Sequence, residues 1–181
     1  MTRRGIAFLA AAALILATTA ASAQSRSSSE QEDDDGVRAS VAASLGFFGD
    51  DPGGLNLGFE LPIEFNRNLS IGPWVALGLA DDFLLISATA NVRYHFDVFE
   101  SAKLRKLRPF LQGGAGLTYY DDDDRDDDDT GFLMNMGLGA EYLVSEHVGI
   151  GSNLMFNVVP TFRPSQAFYW SWQFLQARYR F

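Results

Sequence analysis

From Val37 to Phe181 apolar and polar residues alternate with a period of two, and no other feature of the chain restricts its fold as much. In VRASVAASLGFF the apolar set is Val37, Ala39, Val41, Ala43, Leu45 and Phe47. In LNLGFELPIEF it is Leu55, Leu57, Phe59, Leu61, Ile63 and Phe65, with Asn56, Gly58, Glu60 and Glu64 between them. Successive side chains of a strand point to opposite faces, so each segment reads as a strand with one apolar and one polar face. The pattern continues through Leu69 to Ala80, Phe83 to Phe96, Pro109 to Tyr120, Gly131 to Val144, Val148 to Val159 and Ala167 to Phe181. The connections GDDPGG, NRN, DD, DVFESAKLRKLR, DDDDRDDDDT, SEH and PTFRPSQ are mostly too short for parallel crossovers. The expected fold is all-β, an antiparallel up-and-down meander of eight strands.

A meander of this kind closes either around an apolar interior, as in soluble lipocalin-like barrels, or with its apolar face toward lipid. The composition of the polar face separates the two. It holds Glu60, Glu64, Asn91, Arg93, Gln112, Asn135, Glu141, Asn153, Asn157 and Arg178 among many glycines. Long charged side chains in excess would mark a wet exterior, whereas this set fits a narrow interior. The strands also exceed the roughly 9 to 11 residues that a tilted strand needs to cross a hydrocarbon core. Aromatics collect at strand ends: Phe47, Phe48, Phe83, Tyr119, Tyr120, Phe132, Phe168 and Tyr169 at one end, Phe65, Tyr94, Phe96, Tyr142, Tyr179 and Phe181 at the other. Two such girdles are expected at the two interfaces of a membrane. The expectation is therefore an eight-stranded antiparallel transmembrane β-barrel over residues 37–181.

The start of the chain agrees with export. MTRRGIAFLAAAALILATTAASAQS carries Arg3 and Arg4, an apolar run from Gly5 to Ala17, and Ala21, Ser22 and Ala23 before Gln24. This predicts a signal peptide over 1–23, too short in its apolar part for a spanning helix. QSRSSSEQEDDDG, Gln24 to Gly36, is acidic and almost without apolar residues, which predicts a disordered periplasmic tether over 24–36. The chain has no cysteine, so a disulfide scaffold, a thiol nucleophile and thiolate-bound metal are excluded. A formal charge of −9 argues against nucleic acid as a partner.

The ending FLQARYRF resembles the C-terminal signal of bacterial outer-membrane barrels, with aromatics at alternate positions and a terminal phenylalanine. RPFLQGGAGLTYY followed by MNMGLGAEYLVSEHVGIGSNLMF also resembles small barrels of the OmpA/OmpX type. The resemblance implies that the last strand closes on the first, that both termini are periplasmic, and that Tyr179 and Phe181 are read by the barrel-assembly machinery. It further implies outer-membrane lipid and lipopolysaccharide as the surroundings, and a monomer.

Three groups of residues carry the functional expectations. Arg38, Glu60, Glu64, Arg93, Glu141 and Arg178 share the inward face and form a neutral charge network in the lumen. Asp121, Asp122, Asp123, Asp124, Asp126, Asp127, Asp128 and Asp129 form the longest outer loop, a solvated acidic surface with at most weak, shared binding of Ca²⁺ or Mg²⁺ and no other cofactor. With Asp50, Asp51, Asp81 and Asp82 against Arg125 and Arg163, the outer loops sum to −10. The periplasmic turns hold Arg67, Lys103, Arg105, Lys106 and Arg108 against Asp97, Glu100 and Glu146, or +2. The third group is His95 and His147, expected as solvent-near turn residues without the serine and carboxylate of a hydrolase. The expected role is structural or interactive at the cell surface. The alternatives are a narrow or gated small-solute pore, in which Trp74 and Arg93 add bulk, and a lipid A-modifying barrel enzyme.

Overall fold

The computed structural model describes residues 37–49, 53–80, 83–98, 104, 106–122, 127–161 and 167–181, the side chains of 122, 127 and 128 excepted. The expected signal peptide at 1–23 and tether at 24–36 lie outside the described residues. The elements in order are β1 (Arg38–Gly49), β2 (Gly54–Glu60), β3 (Ile63–Glu64), β4 (Leu69–Ala80), β5 (Phe83–His95), β6 (Leu107–Asp122), β7 (Asp127–Leu143), β8 (Val148–Val158) and β9 (Phe168–Arg180). Every pairing is antiparallel, and β1 pairs with β9 to close the sheet on itself. Closure leaves no unpaired edge among the described strands.

The nine strands make eight staves, because β2 and β3 are two halves of one. Both halves pair with β1 and with β4, in unbroken register from Leu55↔Leu79 through Glu60↔Trp74 to Ile63↔Ile71. The register sets Leu61 opposite Pro73, which has no N–H to return to it, and Pro62 follows at once. The ladder bonds that remain are Leu61 N–H to the Pro73 carbonyl at 3.1 Å and Ser40 N–H to the Pro62 carbonyl at 2.9 Å.

Alternation sorts the side chains as the sequence demands. Leu55, Leu57, Phe59, Ile71, Val92, Leu111, Leu117, Met136, Leu138 and Ile150 are exposed outward, while Asn56, Glu60, Asn91, Arg93, Gln112, Asn135, Glu141, Asn153 and Asn157 are buried inward. The last strand keeps this sorting through a bulge. Gly151 pairs with Gln176 but Asn153 with Gln173, and Leu45 pairs with Leu175 but Phe47 with Trp172. One extra residue thus enters β9, so Phe174 and Leu175 both face outward. Without it, either Trp170 and Trp172 or Tyr179 and Phe181 would point into the lumen.

Two expectations change. The aspartate run is not all loop: β6 reaches Asp122 and β7 begins at Asp127, with Asp121↔Asp128 and Asp122↔Asp127 in register. The ladder simply continues past Tyr120↔Asp129. Nor is the aromatic cluster at the loop end wholly outward. Phe48, Tyr120 and Tyr169 are buried in the interior with Leu85, Leu133 and Val159. The reason is the period itself: Phe47 and Phe48, Tyr119 and Tyr120, and Phe168 and Tyr169 are consecutive, so each pair must split between the two faces.

Candidate functional site in the barrel lumen

The lumen is stacked in three layers. At the loop end Phe48, Leu85, Tyr120, Leu133, Val159 and Tyr169 form an apolar plug. Its inner edge is polar: the Ser87 hydroxyl lies 2.9 Å from that of Thr118 and 3.3 Å from that of Tyr169. The middle layer is made of amides and hydroxyls. Asn91 and Asn135 both donate to Thr89 Oγ1, at 3.1 and 3.3 Å, and Gln173 donates to Ser171 Oγ at 3.2 Å. Trp74 packs here with Ala76 and Met155. Glycine makes the room, since a Cβ on Gly114 would collide with Asn91 Oδ1 and the Ala90 carbonyl.

The layer at the end of the barrel that holds Val37 and Phe181 carries the charge. Glu60 Oε2 accepts from Arg93 Nη2 at 3.0 Å and from Arg178 Nη2 at 3.1 Å. Arg93 also donates to Gln112 Oε1, from Nε at 2.9 Å and from Nη2 at 2.6 Å, and its guanidinium lies 4.3 Å from the centroid of the Phe110 ring. Arg180 donates from Nε to both oxygens of Glu64, at 3.0 and 3.2 Å, and from Nη2 to Glu141 Oε2 at 2.7 Å. Arg178 joins the two groups, with Nη1 3.5 Å from Glu64 and Nε 3.8 Å from Glu141. Glu141 owes its space to Gly149, where any Cβ would strike the carboxylate.

Glu60, Glu64, Arg93, Glu141 and Arg178 therefore meet in one connected layer. Arg38, expected inside, is at the exposed end of β1, where Glu64 is its cross-strand neighbour. Arg180 is a member that the sequence reading omitted, although its spacing of two from Arg178 puts it on the same face. Arg108, expected in a turn, belongs to β6, is buried, and donates to the Arg67 carbonyl from Nη2. His95 is likewise no solvent-near turn residue. It is buried, with Nε2 3.2 Å from Glu141 Oε2 and its ring edge-on to Phe110 at 5.3 Å. Being the last residue of β5 on the inward face, it is carried into the lumen by the same alternation that places Arg93. His147 is exposed, stacked on Tyr179 at 6.1 Å.

The C-terminal aromatics are outward. Tyr179 and Phe181 are exposed, packed edge-on at 5.3 Å, and Phe181 N–H is tied to the Ala39 carbonyl at 3.0 Å. Of the aspartates, Asp123, Asp124 and Asp126 lie outside the described residues, as do the side chains of Asp122, Asp127 and Asp128; Asp129 is exposed and Asp121 half-buried. Among the described residues no group of three or more His, Asp or Glu side chains is placed to hold a metal ion.

The fold is similar to that of known membrane barrels. Neisserial surface protein A superimposes with a TM-score of 0.63 at 17% identity, over 83% of this chain and 100% of that one. The N-terminal β-barrel domain of Pseudomonas aeruginosa OprF gives 0.61 at 14% identity, over 81% and 100%. The outer membrane enzyme PagL gives 0.53 at 14%, over 77% and 98%. At these identities the likeness is one of fold. No curated protein matches the chain in sequence. The model of one family, the outer membrane protein beta-barrel domain, matches residues 8–166, most of the 181. With its closed sheet, apolar exterior and polar lumen, the chain belongs to that family of integral outer-membrane barrels.

Proposed function

We propose that this protein is a sealed structural and interaction barrel of the bacterial outer membrane, a monomer without catalytic activity, that presents an acidic rim to the outside. The observation that carries this reading is the filled lumen: an apolar plug at the loop end and a connected ion-pair layer at the terminus end. An eight-stranded barrel is just wide enough for side chains to fill it, and here bulky ones do. Tyr179 and Phe181 serve assembly, as exposed aromatics at alternate positions on the outward face of β9. Lipid and lipopolysaccharide are the partners of the outer face and rim.

One observation favours a narrow pore instead: the amide oxygens of Asn56, Asn91, Asn135, Asn153 and Gln173 are buried without a hydrogen bond, as in a hydrated passage. An enzyme would use His95 and Glu141 as base and orienting carboxylate. Yet His95 is enclosed by Phe110 and Glu141, and no described serine or threonine hydrogen-bonds to it. Reconstitution in planar bilayers and in vesicles containing lipopolysaccharide tests all three readings. The expected result is no steady conductance and no released fatty acid. Ohmic conductance from the folded monomer would establish the pore, and deacylation lost on replacing His95 would establish the enzyme.

A further inference from the structure

We propose that Arg178 and Arg180 form a clasp that selects the register of β9 as the barrel closes, and that the bulge at Phe174 and Leu175 is its consequence. β9 lies between β1 and β8, yet the side chains of its two arginines reach past both. Arg178 lies 3.1 Å from Glu60 and 3.5 Å from Glu64, on the stave beyond β1, and 3.8 Å from Glu141 on β7, the stave beyond β8. Arg180 spans the same gap, 3.0 Å from Glu64 and 2.7 Å from Glu141. Small residues on the intervening strands leave the way open. Arg178 stands in register between Ala42 and Gly149, and Arg180 stands beside Ser40. The contacts with Glu60 and Glu64 form only once β9 has met β1, so they complete the closure.

The backbone ladder does not choose this register. Moving the part of β9 from Gln176 onward by one place would pair Ala177 with Ala42 in place of Ala43 and restore a regular ladder without a bulge. A slip of one residue turns every side chain to the other face. Arg178 and Arg180 would then point to lipid, and Tyr179 into the lumen. Glu64 would be left with the Ser40 hydroxyl at 3.3 Å and its cross-strand neighbour Arg38, while Glu60 and Glu141 would lose the arginines of β9. Carboxylates deprived of their partners away from water are costly, and that cost opposes the slip.

The first half of the strand is held in the opposite parity. Trp170 and Trp172 are exposed outward, and Ser171 and Gln173 are buried inward. Inward positions are therefore odd as far as Gln173 and even from Gln176, so the mismatch of one residue must be absorbed between them. It is absorbed where Phe174 and Leu175 both face out.

The chain has no cysteine, so an engineered disulfide between β1 and β9 reports the register without interference. Ala177→Cys meets Ala43→Cys in the observed register and Ala42→Cys in the slipped one, and the two pairs are introduced separately and oxidised in protein folded in detergent. With both arginines present, the link should form between positions 43 and 177. In Arg178→Gln with Arg180→Gln, the share of the link between 42 and 177 should rise about tenfold or more, the effect of losing charge-assisted bonds. Deleting Leu175 removes the mismatch, so in that background the same two substitutions should leave the link between 43 and 177 in place. Arginines that merely stabilised the barrel would act alike in both backgrounds. Should the doubly substituted protein fail to fold with Leu175 present, its folding with Leu175 deleted supports the clasp. The link between 43 and 177 alone with Leu175 present, a shift of the link in both backgrounds, or failure to fold in both overturns it.

Discussion

Ser152, on the outward face of β8, donates its hydroxyl proton to the backbone carbonyl of Gln173 at 3.1 Å, at the point where β9 bulges. The same oxygen accepts the indole N–H of Trp172 at 3.0 Å. Ser152 has no place in the β8–β9 register, which passes from Gly151 to Asn153. Its side chain thus takes over a bond that the interrupted ladder would have made, on a face where lipid offers none.

Ser152→Ala should therefore lower stability by about 1 to 3 kcal/mol, the cost of leaving a shielded polar group unmet. A thermal shift of the heat-modifiable form measures it. A variant as stable as wild type would show that the bulge needs no side-chain acceptor or donor.

Arg93 connects Glu60, Gln112 and Phe110, so Arg93→Met leaves Glu60 with Arg178 as its remaining arginine, beside the Gln176 amide, and should cost about 3 to 5 kcal/mol. Arg67→Met, in an exposed turn whose carbonyl still serves Arg108, should change stability by less than about 0.5 kcal/mol. Urea titration of both variants in detergent provides the comparison, and equal midpoints would contradict a structural role for the lumen network.

Deletion of Phe181 removes an exposed ring that packs on Tyr179 and a backbone bond to Ala39. The expected outcome is fewer folded barrels in the outer membrane with export intact. Fractionation followed by unheated gel migration reads both, and unchanged levels of folded protein would exclude Phe181 as an assembly determinant.

The β6–β7 hairpin sets Asp121 opposite Asp128 and Asp122 opposite Asp127, and like charges directly opposed destabilise a ladder. Cations should relieve this. Ca²⁺ at fixed ionic strength is expected to raise the melting temperature of the wild type more than that of a variant with Asp121, Asp122, Asp123 and Asp124 changed to serine. Identical responses would leave the hairpin as a charged surface without a cation role.

Period-two alternation is a local property, and it determined most of the architecture directly. Strand count, the inward set from Glu60 to Arg178 and the outward placement of Tyr179 all follow from parity along the chain. Parity would also have put Arg180 with Arg178 and His95 with Arg93, and would have split Phe47 from Phe48, because consecutive residues of an unbulged strand cannot share a face. The interior partners needed the closed sheet. Glu60 meets Arg178, and Glu141 meets Arg180, because strands distant in sequence curve around one lumen, and no spacing in the chain encodes that distance. The extension of β6 and β7 into the aspartates was hidden as well, since charge composition speaks for a loop while the register of the hairpin continues the ladder. Sequence determined which side of the wall each residue occupies; only closure of the barrel decided which residues meet across it.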